Sequence, residues 1–340
     1  MPGGVEQSKE PVDNLGGVVS IFMVGFVVLA INFAAEPGKG SLALALGVAG
    51  ISLVVAFFLR QKRAGSPLYD LEYAGRRIFW VAAVAGIIVF GTLMGTMFIG
   101  QQYMQNVLGY STLQSGLMII PAALLMLVVA PRSAKLIRAK GSRFTLLSGY
   151  LACFLGFVVM LVLWDENASL WAVGLAYALI GIGVGLAGTP ASHSLTGSVP
   201  VRRVGMASAT ADLQRDLGGA IMQSILGAFL TAGYAASFSN LIASSPQADK
   251  VSTDVQTELT KSFSSAAQTA EQYPTYADQI IEAARQSFLK GDDLAFLAGT
   301  IAIVIGAIVI RSFFPSHEKE NELLASYAKA DAAGAGSPPA

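Results

Sequence analysis

Long apolar runs separated by short polar segments account for most of this chain. About eight of these runs approach the roughly 20 residues that a helix needs to cross a bilayer. They cover residues 15–33, 41–59, 78–100, 113–130, 144–163, 170–188, 205–234 and 294–310. The pattern therefore predicts an all-α, polytopic membrane protein with about eight transmembrane helices and the lipid bilayer as its surroundings.

Positive charge is concentrated in alternate polar segments between the runs. The residues concerned are Arg60, Lys62, Arg63, Arg76, Arg77, Arg132, Lys135, Arg138, Lys140, Arg143, Arg202, Arg203 and Arg311. The short segments in between hold only Lys39. Because basic loops stay on the cytoplasmic side of a membrane, the alternation predicts a multi-pass protein of the plasma (inner) membrane. Both ends, 1–14 and 315–340, are then expected in the cytoplasm.

Two longer polar segments break the pattern. Residues 235–293 are rich in Ser, Ala, Gln and Thr, and by alternation they form an extracellular loop. We expect either a solvated cap over the outer mouth or a lid that grips a ligand, with a short amphipathic helix at 276–289. The tail 315–340 begins charged and ends rich in Ala, Gly, Ser and Pro, which predicts a disordered segment.

The seventh run carries charged residues inside a length of chain that could span the bilayer. At 100° per residue, six residues of this run fall within an arc of roughly 100°. The residues of this stripe are Ser208, Asp212, Arg215, Asp216, Gly219 and Gln223. A charge at mid-bilayer costs about 2.5–3.5 kcal/mol, so such residues need partners or a watery cavity.

The stripe is open to two interpretations. Asp212, Arg215, Asp216 and Gln223 could couple transport to protons or contact a substrate, or they could form a polar seam that holds helices together. Arg215 can pair with either carboxylate, which leaves the other without a full partner.

Composition narrows the class of protein further. The chain of 340 residues is 54% hydrophobic and 13% charged, whereas soluble domains carry about 25% charged residues. The net charge of zero gives no reason to expect a nucleic-acid partner. Cys153 is the single cysteine and the two histidines are far apart, so we expect no metal site and no cofactor. We find no nucleophile–base pair either, which disfavours an enzyme.

Several stretches resemble the fourteen-helix drug:proton antiporter branch of the major facilitator superfamily. The Arg-Asp-Leu-Gly-Gly-Ala at 215–220 is similar to the Arg-Gln-x-Gly-Gly-Ala of that branch, with Asp216 in place of Gln. The other stretches that resemble the branch are 63–71, 103–117, 131–143 and 180–190. The resemblance implies proton-coupled efflux of amphipathic, often cationic, small molecules, as in multidrug resistance.

The segment 131–143 resembles a cytoplasmic loop motif of the superfamily, Gly-x-x-x-Asp-Arg-x-Gly-Arg. Its candidate residues are Lys135, Arg138, Gly141 and Arg143. The acidic position of the motif is not kept. In the family this loop locks neighbouring helices, and the alternative is an ordinary cytoplasmic cluster of basic residues.

Small residues mark candidate helix contacts. Gly181 and Gly185 form a Gly-x-x-x-Gly pair, and Gly218 and Gly219 follow the charged stripe. Small side chains let membrane helices approach closely. We expect packing within the bundle, with a homodimer face as the alternative for the span-six pair.

The resemblance also implies a division of the chain. Residues 15–60 correspond to two extra helices, 61–77 to a cytoplasmic linker, and 78–314 to a C-terminal six-helix bundle. The first six helices of the family have no counterpart, so we expect a fragment, a natural split half, or a chain that needs a separate N-terminal half or a second copy. Transporters of this kind hold substrate between two halves. The alternative function is a truncated or partner-dependent subunit that does not transport alone.

Overall fold

The computed structural model describes residues 13–34, 39–246 and 251–335, and the chain is helical through most of them. Eight helical segments in the described part are long and apolar enough to cross a membrane, which confirms the predicted all-α polytopic architecture. Residues 1–12 of the predicted N-terminal segment and 336–340 of the predicted tail lie outside the described residues. The helices are α1 (Asn14–Ala34), α2 (Gly40–Arg63), α3 (Leu71–Ala74), α4 (Arg77–Asn106), α5 (Thr112–Leu117), α6 (Ile120–Lys140), α7 (Ser142–Leu163), α8 (Leu170–Gly197), α9 (Val204–Ser244), α10 (Thr253–Lys261), α11 (Phe263–Gln272), α12 (Ala277–Phe313) and α13 (His317–Ala335).

The first two spans form a hairpin that is closed by Asp13. Oδ1 of Asp13 accepts the backbone N–H of Gly16 at 2.9 Å and so caps the start of α1. The carboxylate also accepts hydrogen bonds from Arg60 at 2.5 Å and Gln61 at 3.1 Å, both near the end of α2. The hydrogen bond from Arg60, followed by that from Gly16, lowers the pKa of Asp13 below its ordinary value.

The other six spans form a bundle around α4, which packs against α8, α9 and α12. Glycines bring backbones into contact at two crossings. A Cβ on Gly218 of α9 would lie 2.3 Å from the carbonyl oxygen of Ile87 in α4, and one on Gly149 of α7 would lie 2.5 Å from that of Gly183 in α8. Close approach of this kind replaces the hydrophobic effect, which is absent between helices in lipid.

The predicted basic loops meet at one end of the bundle, which we call the tail end. There Arg203 pairs with Asp70 at 3.3 Å, and Arg77 donates to the carbonyl of Phe313 at 2.6 Å. These contacts join the linker before α4 to the start of α9 and the end of α12. The opposite end, which carries α5, α10 and α11, is called the cap end.

The tail differs from the disordered segment that we expected, because α13 is a helix docked on the tail end. Glu320 accepts hydrogen bonds from the backbone N–H and the hydroxyl of Ser142, at the start of α7. Arg76 pairs with Asp331 at 2.6 Å and lies over the ring of Tyr327 at 4.5 Å. The charges that suggested disorder in the sequence therefore have partners on segments far away along the chain.

The polar segment at the cap end also differs from the expected loop. The predicted amphipathic helix 276–289 is the first part of α12, which continues without a break into the last span. α9 likewise runs on to Ser244, and α10 and α11 pack between the two extensions. The helices continue because α9 and α12 cross closely at Gly233 and Gly291, where a Cβ on Gly233 would lie 2.8 Å from the Cα of Gly291.

The α4–α9 crossing gives a stability prediction. Gly218→Ala should lower the free energy of unfolding by about 1–3 kcal/mol, because the added methyl group meets a backbone carbonyl that cannot rotate away. Gly205→Ala is the matched control on the same helix, since no described atom lies within 4 Å of a Cβ built there. The control should be neutral or stabilising, as alanine favours helix by about 1 kcal/mol over glycine. Thermal unfolding of the purified variants in detergent measures both, and equal transition temperatures would contradict the close crossing.

Candidate functional site

The predicted polar stripe lies on the side of α9 that faces away from the bundle. Ser208, Asp212, Arg215 and Asp216 are exposed, whereas the opposite side of the helix is buried against α4. The sequence places the stripe in this way because the apolar and small residues of α9 recur with the helical period on the other side. The charged side chains are therefore free to meet a solute.

Only two of the three charged residues of the stripe are paired with each other. Arg215 donates to Oδ1 of Asp212 at 2.9 Å, with 49% and 72% of the two side chains exposed. An exposed pair of this spacing contributes about 0.3–0.5 kcal/mol, too little to hold a helix in place by itself. Asp216 has neither an ion pair nor a hydrogen bond to any residue that the structure describes. Asp216 is thus the carboxylate that is left unpaired.

An apolar row on α4 runs beside the stripe. Phe90, Met94 and Phe98 are spaced by four residues and so share one face of α4. The guanidinium of Arg215 lies over the ring of Phe90 at 5.1 Å, and a Cβ on Gly219 would lie 3.2 Å from Cγ of Met94. We call the stripe residues Asp212, Arg215 and Asp216, together with this row, the amphipathic face.

A third helix borders the amphipathic face. A Cβ on Gly188 of α8 would lie 3.0 Å from Cζ of Phe90, so α4, α8 and α9 meet at this ring. Small residues at this position of α8 let the aromatic ring occupy the junction of the three helices.

Gln223 lies two turns beyond Asp216 on α9 and is half-buried. Its neighbour Ser224 donates to Oδ1 of Asn32 on α1 at 3.3 Å. α1 therefore touches α9 next to Gln223.

Gln214 is a polar residue of α9 that the sequence analysis missed. Its side-chain Nε2 donates to the backbone carbonyls of Ala82 at 2.8 Å and Ala83 at 3.1 Å on α4, and the residue is buried. The side chain fills the space beside Gly86, where a Cβ would lie 2.2 Å from it. A lone amide on the apolar side of a membrane helix, opposite the stripe, is the signal that could have identified this contact.

The residues of the predicted loop motif lie at the tail end. Gly141 joins α6 to α7 with φ of +84°, a conformation that favours glycine, and a Cβ there would lie 2.8 Å from His317. Arg143 donates a hydrogen bond to the carbonyl of Arg311. Lys135 and Arg138 are exposed on the last turns of α6. Two of the four residues thus touch the region where α12 and α13 join, and none belongs to the amphipathic face.

The predicted small-residue contacts lie inside the bundle. A Cβ on Gly181 would lie 2.2 Å from the carbonyl oxygen of Ala122 in α6, and one on Gly185 would lie 3.1 Å from that of Met126. The Gly-x-x-x-Gly pair of α8 therefore faces α6.

In the part of the chain that the structure describes, no group of three or more His, Cys, Asp or Glu residues is placed to hold a metal ion.

Two mycobacterial efflux pumps are similar to this chain in sequence. The chain is 25% identical over 311 residues to the multidrug efflux pump LfrA of Mycolicibacterium smegmatis, an alignment that covers 91% of this chain and 60% of that protein. It is 27% identical over 320 residues to the drug efflux pump JefA of Mycobacterium tuberculosis, covering 90% of this chain and 62% of the relative. The chain thus spans about three fifths of the length of these curated relatives.

The fold is also similar to that of a solved transporter. A bacterial homologue of the human lysosomal transporter Spinster, in an inward-facing and occupied conformation, superposes with a TM-score of 0.52 at 15% identity. The superposition covers 89% of this chain and 68% of that one, and at this identity it bears on the fold alone.

The family model described as the Major Facilitator Superfamily matches residues 12–223. The match includes α1 to α8 and the part of α9 that carries the charged stripe. Because it extends over more than half of the sequence, the chain belongs to the Major Facilitator Superfamily.

Proposed function

We propose that this chain forms one half of a drug efflux transporter that exports amphipathic, cationic small molecules in exchange for protons. The observation that carries the proposal is the amphipathic face, in which exposed carboxylates of α9 run beside an aromatic and methionine row of α4. The names of LfrA, a multidrug efflux pump, and JefA, a drug efflux pump, support drug efflux as the activity.

The carboxylates of α9 suit the positive group of such a substrate, and the apolar row of α4 suits its apolar part. The positive group would lie near Asp216, and the apolar part would lie on Phe90, Met94 and Phe98, where aromatic faces attract cations and methionine adapts to different shapes. Charged groups this deep in a membrane protein are tolerated where they line a water-filled cavity.

Asp216 is the residue to which we assign proton coupling. A carboxylate without a fixed cation can bind either a cationic substrate or a proton, and protonation removes the charge that holds the substrate. Asp212 is already paired with Arg215, so it supports the site by orienting the guanidinium. The exchange of proton for substrate at one carboxylate is the simplest form of antiport that these residues allow.

The amphipathic face is one wall of a cavity, and the opposing wall has to come from elsewhere. α6 exposes large apolar side chains such as Leu124 and Leu127, the latter 70% exposed. Transporters of this architecture bind substrate between two halves near the bilayer midplane. We propose that a separate N-terminal half, or failing that a second copy of the chain, covers the face. The alternative function, a partner-dependent subunit that does not transport alone, follows from the same incompleteness.

The proposed orientation places the tail end in the cytoplasm and the cap end outside the plasma membrane. In a Cys153→Ser background, a cysteine at Gln272 should react with a membrane-impermeant maleimide in intact cells. A cysteine at Glu322 should react only after the membrane is permeabilised. Both positions are exposed, so access to the solvent is equal. The opposite labelling pattern would invert the orientation.

Neutralising Asp216 should weaken the binding of a lipophilic cation. For purified chain in nanodiscs, Asp216→Asn should weaken ethidium binding at high pH about tenfold or more, the equivalent of a charge-assisted contact of about 1.5–3 kcal/mol. Wild-type binding should weaken as the pH falls, because protonation removes the negative charge, and the variant should lose this pH dependence.

Asp254→Asn, an exposed change at the cap end, serves as the matched control and should leave binding unchanged. Asp212→Asn should have an intermediate effect, since it frees Arg215 to repel the cation. If Asp216→Asn and Asp212→Asn both bind ethidium with the wild-type pH profile, the proposed role of the stripe in binding is wrong.

The chain alone should not transport. Purified chain reconstituted into liposomes with an imposed pH gradient should show no efflux of ethidium beyond that of empty liposomes, because half of the cavity is missing. Bound ethidium in the nanodisc assay shows that the protein is intact. Robust pH-driven efflux by the chain alone would contradict this prediction and favour a second copy as the opposing half.

A further inference from the structure

A buried carboxylate lies at the cap end, on a different helix from the stripe. Asp292 of α12 is 2% exposed, and neither of its side-chain oxygens has a hydrogen-bond partner among the residues that the structure describes. Its neighbour Asp293 has the opposite environment, because it is exposed to solvent and lies 3.3 Å from Nζ of Lys290. Two adjacent aspartates of one helix thus differ in burial and in pairing.

Among the residues that the structure describes, no cation pairs with Asp292. Tyr103 of α4 donates its hydroxyl to the backbone carbonyl of Asp165 at 2.6 Å, so that proton is already used. The hydroxyl of Tyr234 on α9 donates to the carbonyl of Leu259 at 3.0 Å. The carboxylate of Asp293 is adjacent on the same helix, and that of Asp165 lies near Tyr103 on the segment between α7 and α8. Lys290 is engaged with Asp293.

The backbone next to Asp292 is closely packed against α9. A Cβ on Gly291 would lie 2.4 Å from the carbonyl oxygen of Leu230 and 3.1 Å from the backbone nitrogen of Tyr234. The crossing of α9 and α12 is therefore closed at this level. Hydrating Asp292 from the α9 side would require the two helices to separate.

An ionised carboxylate is strongly disfavoured in such a place. Burying an isolated charge without a cation, donors or water costs far more than protonating the group. An aspartate with the ordinary pKa of about 3.9 is protonated in roughly one molecule in a thousand at pH 7. The protein therefore needs to shift the balance by only about a thousandfold to keep the group neutral.

We propose that Asp292 is a proton-binding site whose carboxyl group carries a proton while α12 is packed against α4 and α9. Loss of this proton would favour a state in which water or a cation reaches the carboxylate, which requires the cap end of the bundle to open. The site is separate from the stripe, and its existence does not depend on the proposed efflux function.

Infrared spectroscopy of the purified chain tests the site directly. At pH 7 the wild type should show the C=O stretch of a protonated carboxyl group, and this band should be lost in Asp292→Asn. Asp293→Asn is the matched control, one position away, and it should keep the band because that carboxylate is exposed and paired. A band that survives in Asp292→Asn would overturn the proposal.

The pH dependence of stability gives a second readout. A group that is protonated only in the folded state takes up a proton on folding, so its contribution is complete below the ordinary pKa of an aspartate and decreases as the pH rises. Between pH 5 and 8 the folded-to-unfolded ratio of the wild type should fall by up to about tenfold per pH unit relative to Asp292→Asn. Equal pH slopes for the two proteins would contradict the proposal.

A failure of the variants to fold would be informative as well. An amide has nearly the shape of a neutral carboxyl group and the same charge, and Asp292→Ala removes the polar group altogether. If both variants fail to fold under conditions in which the wild type and Asp293→Asn do, a neutral group of the same shape cannot replace the native one, and the proposal is wrong.

Discussion

The contact between the backbones of α4 and α9 sets the geometry on which the candidate site depends. Gly218 lets the two helices approach until the side chain of any larger residue would meet the carbonyl of Ile87. At this separation Gln214 reaches across to bond two carbonyls of α4, and the ring of Phe90 lies under Arg215. In lipid, such contacts between backbones and buried amides take the place of hydrophobic burial as the source of specific helix pairing.

The helices and the stripe could be predicted from the sequence because both are local patterns. Run length identified the spans, and a 100° step along α9 was enough to gather Asp212, Arg215 and Asp216 on one face. The apolar partner of the stripe could not be found in this way. The row Phe90, Met94 and Phe98 belongs to another helix, and nothing in its own spacing says which side will face α9.

The segments outside the spans were harder to predict, and the reason is again non-local contact. The tail has a composition typical of disorder, yet Glu320 and Asp331 find donors on α7 and before α4. The polar segment at the cap end was expected to be mostly loop, but small residues at Gly233 and Gly291 let α9 and α12 continue as helices past the apolar spans. Composition indicates whether an isolated segment tends to be disordered, whereas contacts with distant segments determine its structure in the fold.

The continuity of α12 has a mechanical consequence. A helix of 37 residues is about 55 Å long. An unbroken helix of this length acts as a rigid rod, so a tilt at one end is transmitted to the other rather than absorbed by a hinge. Its two ends carry α11 and α13, and Arg143 holds it near the second end through the carbonyl of Arg311. A displacement of α12 at the cap end is therefore expected to displace its tail end as well.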